Sequence, residues 1–366
     1  MKTAYGEHTA LSQRKQRAGQ RLIVGLQGHS PSPEFKEFCK VASPAGFILF
    51  ARNVDTPLQV SELNSELSAL VRAECPALLS VDQEGGRVRR IKETSWPAMR
   101  LVGNLDELKT TQKLIELMSE ELRALGFNTN WAPVADVDSN PDNPVIGDRS
   151  FSSDPQRCQR HVRAALSSFQ QSGIIGCIKH FPGHGDTALD SHLELPTVDK
   201  DIDELEHCEL STFRHVQDLA EIIMTAHVMF PALDERYPAT MSERILKGML
   251  REKWGYDRLI VSDDLEMKAV RGRWALEEQL QQASLATVDL FLVCSELELQ
   301  WEAFELLVKL QEQSKTQERQ AIDAVLRLQS LRRRHFQKDY PKPPLSVIAS
   351  AEHRALCEWI LARGST

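Results

Sequence analysis

The chain has 366 residues, of which 42% are hydrophobic and 26% are charged, and its formal net charge is −8 at pH 7. A chain of this length and apolar content can bury one large core, so the composition excludes an intrinsically disordered protein. Because binding to a phosphate backbone needs a basic surface, the acidic balance argues against nucleic acid as the main partner.

The amino terminus and the cysteines are typical of a cytoplasmic protein. Residues 1–20 lack the apolar stretch of a signal peptide, and no segment approaches the roughly 18 consecutive apolar residues of a membrane helix. The seven cysteines have no metal-type spacing, and Cys177 and Cys294 lie within apolar runs, so we predict reduced thiols in the core. We expect a cytoplasmic monomer with neither a membrane nor a nucleic-acid partner.

Short apolar runs alternate with helix-period segments along the chain. Eight runs have the length and composition of buried strands: residues 21–28, 46–50, 77–82, 127–137, 173–180, 221–228, 258–264 and 290–294. Between them, helices are predicted over 58–74, 108–126, 154–173 and 242–255, several of them opened by a Ser or Asp capping residue. Eight strands alternating with helices predict a (β/α)8 barrel of the TIM type. Periodicity alone leaves an open doubly wound sheet as the alternative, although no G-x-G-x-x-G motif follows the first strand.

The domain organisation is predicted to be simple. We assign one barrel domain to residues 1–335 and a C-terminal linker with a helical tail to residues 336–366. The last part of this tail, 347–364, predicts a terminal helix that caps the barrel or lies along it. The basic run RRRH at 332–335 is short and helical in context, so we interpret it as a solvated helix face.

The third and fourth predicted strands both lead into polar residues. The segment VDQEGGRVRRI (81–91) places Asp82 at the end of the third strand and Arg90 beyond a pair of glycines. A carboxylate and a guanidinium at a barrel rim suit the hydroxyls of a sugar or polyol, but the same pair can also fix a turn. After the fourth strand, Arg149 ends a long Asn/Asp/Pro loop, where it either faces the site or pairs with Asp148.

The fifth predicted strand delivers Lys179 and His180 at its carboxyl end, the edge where ligands bind in α/β folds. Three chemistries compete in the segment 179–196 (KHFPGHGDTALDSHLELP). They are zinc ligation by the histidines, a Schiff base at Lys179, and proton transfer by His192 with its ring oriented by Asp190. The metalloprotease motif H-E-x-x-H does not fit, because a Pro and a Gly between the first two histidines keep them off a single helix.

The seventh predicted strand ends in two adjacent acids, Asp263 and Asp264. Successive side chains of a strand point in opposite directions, so one acid can face the barrel mouth while the other is held by backbone donors. The acid at the mouth is a candidate nucleophile or a stabiliser of a developing cation. We assign that role to Asp263 and interpret Asp264 as the N-cap of the following helix.

Five motifs together carry a resemblance to a known family. They are VDQEGGRVRR (81–90), GDRSF (147–151), KHFPGHGDT…DSH (179–192), TAHVMF (225–230) and VSDDLEM (261–267). In this order, from about residue 20 to residue 300, the chain resembles the β-N-acetylhexosaminidases of glycoside hydrolase family 3, of the cytoplasmic muropeptide-recycling type.

The resemblance implies a (β/α)8 barrel and a retaining double displacement that releases N-acetylglucosamine, with no metal or organic cofactor. Carried onto this chain, it implies that Asp263 is the nucleophile and that His192, assisted by Asp190, is the general acid/base. It also implies that the sugar-binding residues are Asp82, Arg90, Arg149, Lys179 and His180.

We therefore expect an exo-acting β-N-acetylglucosaminidase acting on small carbohydrates, namely the N-acetylglucosamine-containing muropeptides. The residues alone leave open a metal-dependent barrel hydrolase, a lysine aldolase that uses Lys179, or a sugar-binding barrel without catalysis. Whether water or phosphate resolves the glycosyl-enzyme, and which aglycone is preferred, are also open.

Overall fold

The computed structural model describes residues 2–187, 195–338 and 340–365, excluding the side chains of residues 2–9. Within these residues, eight parallel strands form a closed barrel: β1 (Leu22–Val24), β2 (Gly46–Leu49), β3 (Leu78–Val81), β4 (Thr129–Asn130), β5 (Ile175–Phe181), β6 (Ile222–Thr225), β7 (Leu259–Asp264) and β8 (Leu290–Val293). Every one coincides with a run predicted to be a strand, and β5 extends one residue past its run. A short antiparallel hairpin, Gln83–Gly85 with Val88–Arg89, follows β3.

The barrel is closed by the pairing of β1 on both of its edges. The strand order is β1, β8, β7, β6, β5, β4, β3 and β2. Leu22 pairs with Phe291 of β8, and Ile23 pairs with Gly46 of β2, both in parallel register. The predicted (β/α)8 barrel is therefore confirmed, and the alternative of an open doubly wound sheet is wrong.

Helices surround the barrel. They are α1 (Lys2–Gly19), α2 (Pro33–Ala42), α3 (Pro57–Ala69), α4 (Met99–Leu105), α5 (Leu108–Ala124), α6 (Pro155–Gln171), α7 (Ile202–His207), α8 (Glu209–Val216), α9 (Lys268–Arg271), α10 (Leu276–Leu285), α11 (Leu297–Gln313), α12 (Lys315–Phe336) and α13 (Ala351–Gly364). Segment Glu243–Lys253, within the predicted helix 242–255, is wound as a π-helix. Several helices begin at a side chain that accepts a backbone N–H, as Thr56, Asp154 and Ser314 do for α3, α6 and α12.

The interior of the barrel is filled by apolar side chains and closed at its amino-terminal end. The buried cluster includes residues of seven strands, among them Ile23, Ile48, Leu78, Ile175, Ile222, Leu259 and Leu290, and Trp131 directly after β4. Leu328 and Leu331 of α12 belong to the same cluster and are at most 1% exposed. Helix α12 therefore plugs the end of the barrel opposite to the carboxyl ends of the strands.

Arg332 fixes this plug to the barrel. Its guanidinium donates to the carbonyl oxygens of Pro76, at 2.8 Å, and of Ala45, at 3.1 Å, which precede β3 and β2. The side chain is buried, so the prediction that the basic run 332–335 is a solvated face is wrong for Arg332, whereas the next residue, Arg333, is exposed.

The C-terminal helix lies along the side of the barrel. The side-chain amide of Asn104 in α4 donates to the carbonyl oxygen of Gly364 at 2.9 Å. On α5, the buried Glu121 accepts a hydrogen bond from His353 Nδ1 at 2.7 Å. Helix α13 is thus bound to both α4 and α5.

Two general expectations can also be compared with the structure. All seven cysteines are free thiols, and Cys177 and Cys294 are buried, as predicted. In the described part of the chain, no helix is long and apolar enough to cross a membrane.

Replacing Arg332 should loosen the plug. We expect Arg332→Met to lower the free energy of unfolding by about 3 kcal/mol, because the carbonyl oxygen of Pro76 and the buried side-chain oxygen of Gln20 each lose a charged donor. Arg333→Met, a change of the same chemistry at an exposed position, should change it by less than about 0.5 kcal/mol. Urea denaturation of the two variants measures this difference, and equal midpoints would contradict the role given to Arg332.

Candidate active site

A cavity of about 310 Å³ opens at the carboxyl ends of the strands. Its polar lining consists of Asp82, Glu84, Arg87, Arg90, Arg149, Lys179, His180, His184, Asp263 and Asp264. All five residues predicted to bind a sugar, together with the predicted nucleophile, therefore meet in one cavity, although they come from four separate parts of the chain. Asp190 and His192 lie outside the described residues.

The floor of the cavity is apolar. It is formed by Ile48 of β2, Trp131 after β4, Met224 of β6 and Leu292 of β8, with Cys294 beside them. These side chains belong to the same buried cluster as the leucines of α12, so the cavity ends on the packed core of the barrel.

A buried carboxylate, Glu84, organises the charged wall. Arg149 donates two hydrogen bonds to it, from Nε at 2.8 Å and from Nη2 at 2.9 Å. Lys179 Nζ lies 2.6 Å from Glu84 Oε1 and 2.8 Å from Asp82 Oδ1. Arg90 Nη2 completes the network at 3.4 Å from Asp82 Oδ2. We name this set, Asp82, Glu84, Arg90, Arg149 and Lys179, the charged cluster.

The structure decides the alternatives for two of its members. Arg149 faces the cavity and pairs with Glu84, whereas Asp148 forms an exposed pair with Arg87 at 3.1 Å. The predicted Asp82–Arg90 pair exists, but it is part of a larger network rather than an isolated turn clamp. Sequence reasoning missed Glu84, whose signal was its place two residues beyond Asp82, in the hairpin that follows β3.

The pKa values in the charged cluster favour the ionised forms. Burial would raise the pKa of Glu84, but Arg149 and Lys179 outweigh it and hold this pKa well below its ordinary value. Burial would likewise lower the pKa of Lys179, but the carboxylates of Asp82 and Glu84 raise it instead. A Schiff-base lysine must lose its proton to attack a carbonyl. The ammonium of Lys179 is stabilised in the charged form, which argues against the lysine aldolase.

His180 is oriented by a second buried acid, Asp136. His180 Nδ1 lies 2.7 Å from Asp136 Oδ2, and the backbone N–H of His180 donates to both carboxylate oxygens at 3.1 Å. Burial would raise the pKa of Asp136, but the charge and hydrogen bond of His180 bring it below its ordinary value. An ionised Asp136 accepts a hydrogen bond from the Nδ1–H group of His180, so Nε2 is the ring nitrogen that can serve a ligand. Sequence reasoning missed Asp136, although it lies at the end of an apolar run.

The stem of the loop after β5 is held firmly on the residues that follow β4. The backbone N–H of His184 donates to Asp136 Oδ1 at 2.8 Å, and the amide of Asn143 donates to the carbonyl oxygens of His184 and Gly185 at 2.8 and 3.0 Å. A Cβ atom on Gly185 would lie only 1.5 Å from the carbonyl oxygen of Val137, so only glycine permits this approach. The stem is fixed up to Thr187, next to the segment that carries Asp190 and His192.

His184 is a neutral member of the site. Burial and the neighbouring His180 lower the pKa of His184 to about 4. Its Nδ1 lies 2.8 Å from the hydroxyl of Thr187. Among the described residues, no group of three His, Cys, Asp or Glu side chains is arranged to hold a metal ion.

The two acids of β7 have different surroundings. The backbone N–H of Asp264 donates to Asp263 Oδ1 at 2.8 Å, whereas Asp264 Oδ1 accepts the backbone N–H of Glu266 at 3.1 Å. Burial, followed by the nearby charges of Glu266 and Asp263, raises the pKa of Asp264 to about 7. The prediction that Asp264 is a helix N-cap is wrong: helix α9 begins at Lys268 with Met267 as its cap, and Asp264 closes the turn before it.

Comparison with known proteins is consistent with this geometry. Residues 15–331 match the model of the glycosyl hydrolase family 3 N-terminal domain. The chain is 37% identical over 262 residues to "Beta-hexosaminidase A" of Pseudoalteromonas piscicida, a match that covers 65% of this chain and 44% of that protein. It is 36% identical over 275 residues to "Beta-hexosaminidase" of Nitrosomonas eutropha, covering 73% of this chain and 77% of that one. The chain thus spans less than half of the first relative and over two thirds of the second.

A solved structure is similar over nearly the whole chain. The family 3 β-N-acetylglucosaminidase from Paenibacillus sp. str. FPU-7 superposes with a TM-score of 0.89 at 35% identity, covering 96% of this chain and 68% of that chain.

Removing the charge of Glu84 should destabilise the protein strongly. We expect Glu84→Gln to lower the free energy of unfolding by about 3–5 kcal/mol, because two buried cations lose a counter-charge. Asp148→Asn, which breaks an exposed pair with an arginine, should lower it by at most about 1 kcal/mol.

The same variant should change the pH dependence of stability. The pKa of Glu84 is lowered from 4.5 in the folded protein, so its contribution is present above pH 4.5 and is lost as the pH falls below that value. The unfolding free energy of the wild type should therefore decrease more steeply below pH 4.5 than that of Glu84→Gln. Parallel pH profiles from urea denaturation would contradict this assignment.

Proposed function

The chain belongs to glycosyl hydrolase family 3 and is a glycoside hydrolase, and on this premise we propose that it is a retaining exo-β-N-acetylglucosaminidase. It releases a terminal N-acetylglucosamine from muropeptides in the cytoplasm, without a metal or organic cofactor. The sugar specificity is supported by the similarity to the Nitrosomonas β-hexosaminidase and to the Paenibacillus β-N-acetylglucosaminidase. The muropeptide substrate is supported by the motif resemblance, and the cytoplasmic location by that resemblance together with the amino-terminal sequence and the reduced cysteines.

One observation carries the proposal: Asp263 lines the same small cavity as the charged cluster. A volume of about 310 Å³ lies at the lower end of the roughly 300–1,000 Å³ typical of small-molecule sites, so it suits one sugar ring better than an oligosaccharide. The cavity also ends on an apolar floor. A site that holds one ring above a closed floor acts on the end of a chain, which supports exo cleavage.

The charged cluster suits the hydroxyls of a sugar. Asp82 is an acceptor for vicinal hydroxyls, and the cations of Arg90, Arg149 and Lys179 are donors. Each cation is already held by a carboxylate, so little side-chain entropy is lost when the sugar binds. His180 contributes Nε2, since its Nδ1 is engaged by Asp136.

The reaction proceeds in two displacements. In the first, a carboxylate oxygen of Asp263 bonds to the anomeric carbon, the glycosidic C–O bond breaks, and His192 gives its proton to the leaving oxygen. In the second, water attacks the anomeric carbon, the bond to Asp263 breaks, and His192 takes a proton from the water while Asp190 holds its ring. If phosphate replaces water, the product is a sugar phosphate instead of free N-acetylglucosamine, so analysis of the product distinguishes hydrolysis from phosphorolysis.

The surroundings of the two acids favour Asp263 as the nucleophile. A nucleophilic carboxylate must be ionised at the working pH. The pKa of Asp264 is raised to about 7, so a large fraction of it is protonated near neutral pH. Asp263 instead has a carboxylate oxygen fixed by the backbone N–H of Asp264.

Replacement of Asp263 should abolish the covalent step. We expect Asp263→Ala to lower turnover of a nitrophenyl β-N-acetylglucosaminide by on the order of 10³-fold or more, while an N-acetylglucosamine-like inhibitor still binds. A fluorinated mechanism-based sugar should label the Asp263 peptide of the wild type in a mass spectrum. Turnover that is unchanged in the presence of EDTA would exclude the metal-dependent hydrolase.

Asp264→Ala is the matched control for this experiment. It removes the neighbouring carboxyl group and should reduce turnover less than Asp263→Ala does. Labelling of any other peptide, or a greater loss in a folded Asp264→Ala enzyme, assigns the nucleophile elsewhere.

The acid/base dyad has its own signature. General acid/base catalysis is worth roughly 10²- to 10⁴-fold and matters most when the leaving group is poor. We therefore expect His192→Ala and Asp190→Ala to impair cleavage of a natural disaccharide far more than cleavage of a nitrophenyl glycoside. The measured quantity is the ratio of kcat/KM for the two substrates. If the loop only closes over the sugar, both substrates should lose activity equally.

A further inference from the structure

The motif TAHVMF (225–230) places a buried histidine behind the proposed nucleophile. His227 lies two residues beyond the end of β6, is 1% exposed, and does not line the cavity. No step proposed above uses it.

His227 connects the end of β7 to the hydroxyl of Thr240. Its Nε2 lies 3.1 Å from the carbonyl oxygen of Asp264, and its Nδ1 lies 2.9 Å from the hydroxyl of Thr240. That hydroxyl is also 2.8 Å from the hydroxyl of Thr225. The result is a buried chain of hydrogen bonds from Thr225 through Thr240 and His227 to the backbone of β7.

The direction of this chain follows from the chemistry of its last member. A carbonyl oxygen only accepts, so Nε2 of His227 must carry the proton. Burial lowers the pKa of His227, which favours the neutral ring and makes Nδ1 the acceptor. The single hydroxyl proton of Thr240 then has two acceptors within reach, Nδ1 at 2.9 Å and the carbonyl oxygen of Ala226 at 3.0 Å. The carbonyl oxygen of Asp264 therefore sets the tautomer of His227, and Thr240 is the hydrogen-bond partner of the opposite ring nitrogen.

The hydrogen bond to Asp264 acts on the residue next to the nucleophile. His227 holds the peptide group that follows Asp264, and the peptide N–H that precedes Asp264 donates to Asp263 Oδ1 at 2.8 Å. The carbonyl oxygen of Asp264 also accepts the backbone N–H of Met267 at 3.1 Å, so His227 is the side-chain donor to this peptide group, and the preceding peptide group is joined to the carboxylate of Asp263. A rotation of either plane moves the N–H that orients this carboxylate.

We infer that His227, hydrogen-bonded to Thr240 on one side and to the backbone of Asp264 on the other, is a positioning residue that aims the carboxylate of Asp263 at the anomeric carbon. The inference rests on the proposed function, because it assumes that Asp263 is the nucleophile. His227 touches no substrate atom and acts only through the backbone of Asp264. Misplacement of a reacting group by about 1 Å can lower a rate by about 10²-fold, so the effect on the covalent step should be large.

The experiment measures the rate at which a fluorinated mechanism-based N-acetylglucosamine analogue labels Asp263, per folded enzyme. His227→Leu removes the donor and should slow labelling by about 10²-fold. His227→Gln places an amide N–H near the position of Nε2 and should recover part of the rate. Thr240→Val leaves the ring but removes the hydroxyl that holds its Nδ1 side, and should slow labelling by about tenfold. The affinity for a reversible N-acetylglucosamine-like inhibitor should stay within about threefold of wild type, because the charged cluster is intact.

Thr111→Val is the matched control. Thr111 Oγ1 lies 2.7 Å from Nδ1 of the buried His161, between α5 and α6 and away from the cavity. Thr111→Val loses the same kind of threonine–histidine hydrogen bond as Thr240→Val, and its Asp263 should be labelled at the wild-type rate.

The outcomes separate the inference from the proposed function. Wild-type enzyme that is labelled at another residue overturns the assignment of Asp263 itself. If Asp263 is labelled in the wild type, and Thr240→Val and His227→Leu are both labelled as fast as the wild type, then His227 is only a structural residue. Equal losses of inhibitor affinity and labelling rate also overturn the inference, since they indicate a collapsed cavity rather than a misaimed carboxylate.

Discussion

A carboxylate that is buried away from water needs a cationic partner, and the charged wall of the cavity is built around one such paired carboxylate. Glu84 is 4% exposed and binds both Arg149 and Lys179, which come from the loop after β4 and from β5. These contacts join three consecutive βα units at one point above the barrel. Because each cation already has an anionic partner, the cavity presents charged donors in fixed positions rather than flexible chains. The same pairing keeps Lys179 an ammonium, which separates this site from barrels that use a lysine as a nucleophile.

The sequence predicts the barrel well because strands and helices have different apolar periods. All eight strands lie within or overlap the apolar runs that predict them, since parallel strands buried on both faces are mainly apolar. The strand ends likewise locate Asp82, Lys179 and Asp263, because the carboxyl ends of the strands share one face of the barrel. What spacing cannot give is the partner of a side chain. Arg149 stands beside Asp148 in the sequence, yet it binds Glu84, 65 residues away.

The errors share a physical cause. Asp264 was expected to cap a helix because acids commonly precede helices, but the chain makes an extra turn before α9 and Asp264 closes that turn. Arg332 lies in a basic run that is typical of a solvated surface, but its helix crosses the amino-terminal end of the barrel, where the guanidinium donates to carbonyl oxygens that precede the strands. For Arg332, the deciding contacts are with carbonyl oxygens of segments that are distant in sequence. For Asp264, the deciding feature is an extra turn that local propensity does not predict.

The plug formed by α12 has a consequence for kinetics. A barrel that is filled at its amino-terminal end opens at the carboxyl ends of its strands, so the part of the substrate that lies deepest in the cavity leaves last. If the sugar ring lies on the apolar floor, the aglycone occupies the mouth and must depart before water can approach the anomeric carbon. Product release is then ordered, with the aglycone first and the sugar second. Under the proposed double displacement, free N-acetylglucosamine is expected to compete with the substrate for the empty enzyme, whereas the aglycone leaves while the sugar is still bound to the protein. The plug at the amino-terminal end of the barrel thus determines the order in which the two products leave at its carboxyl-terminal end.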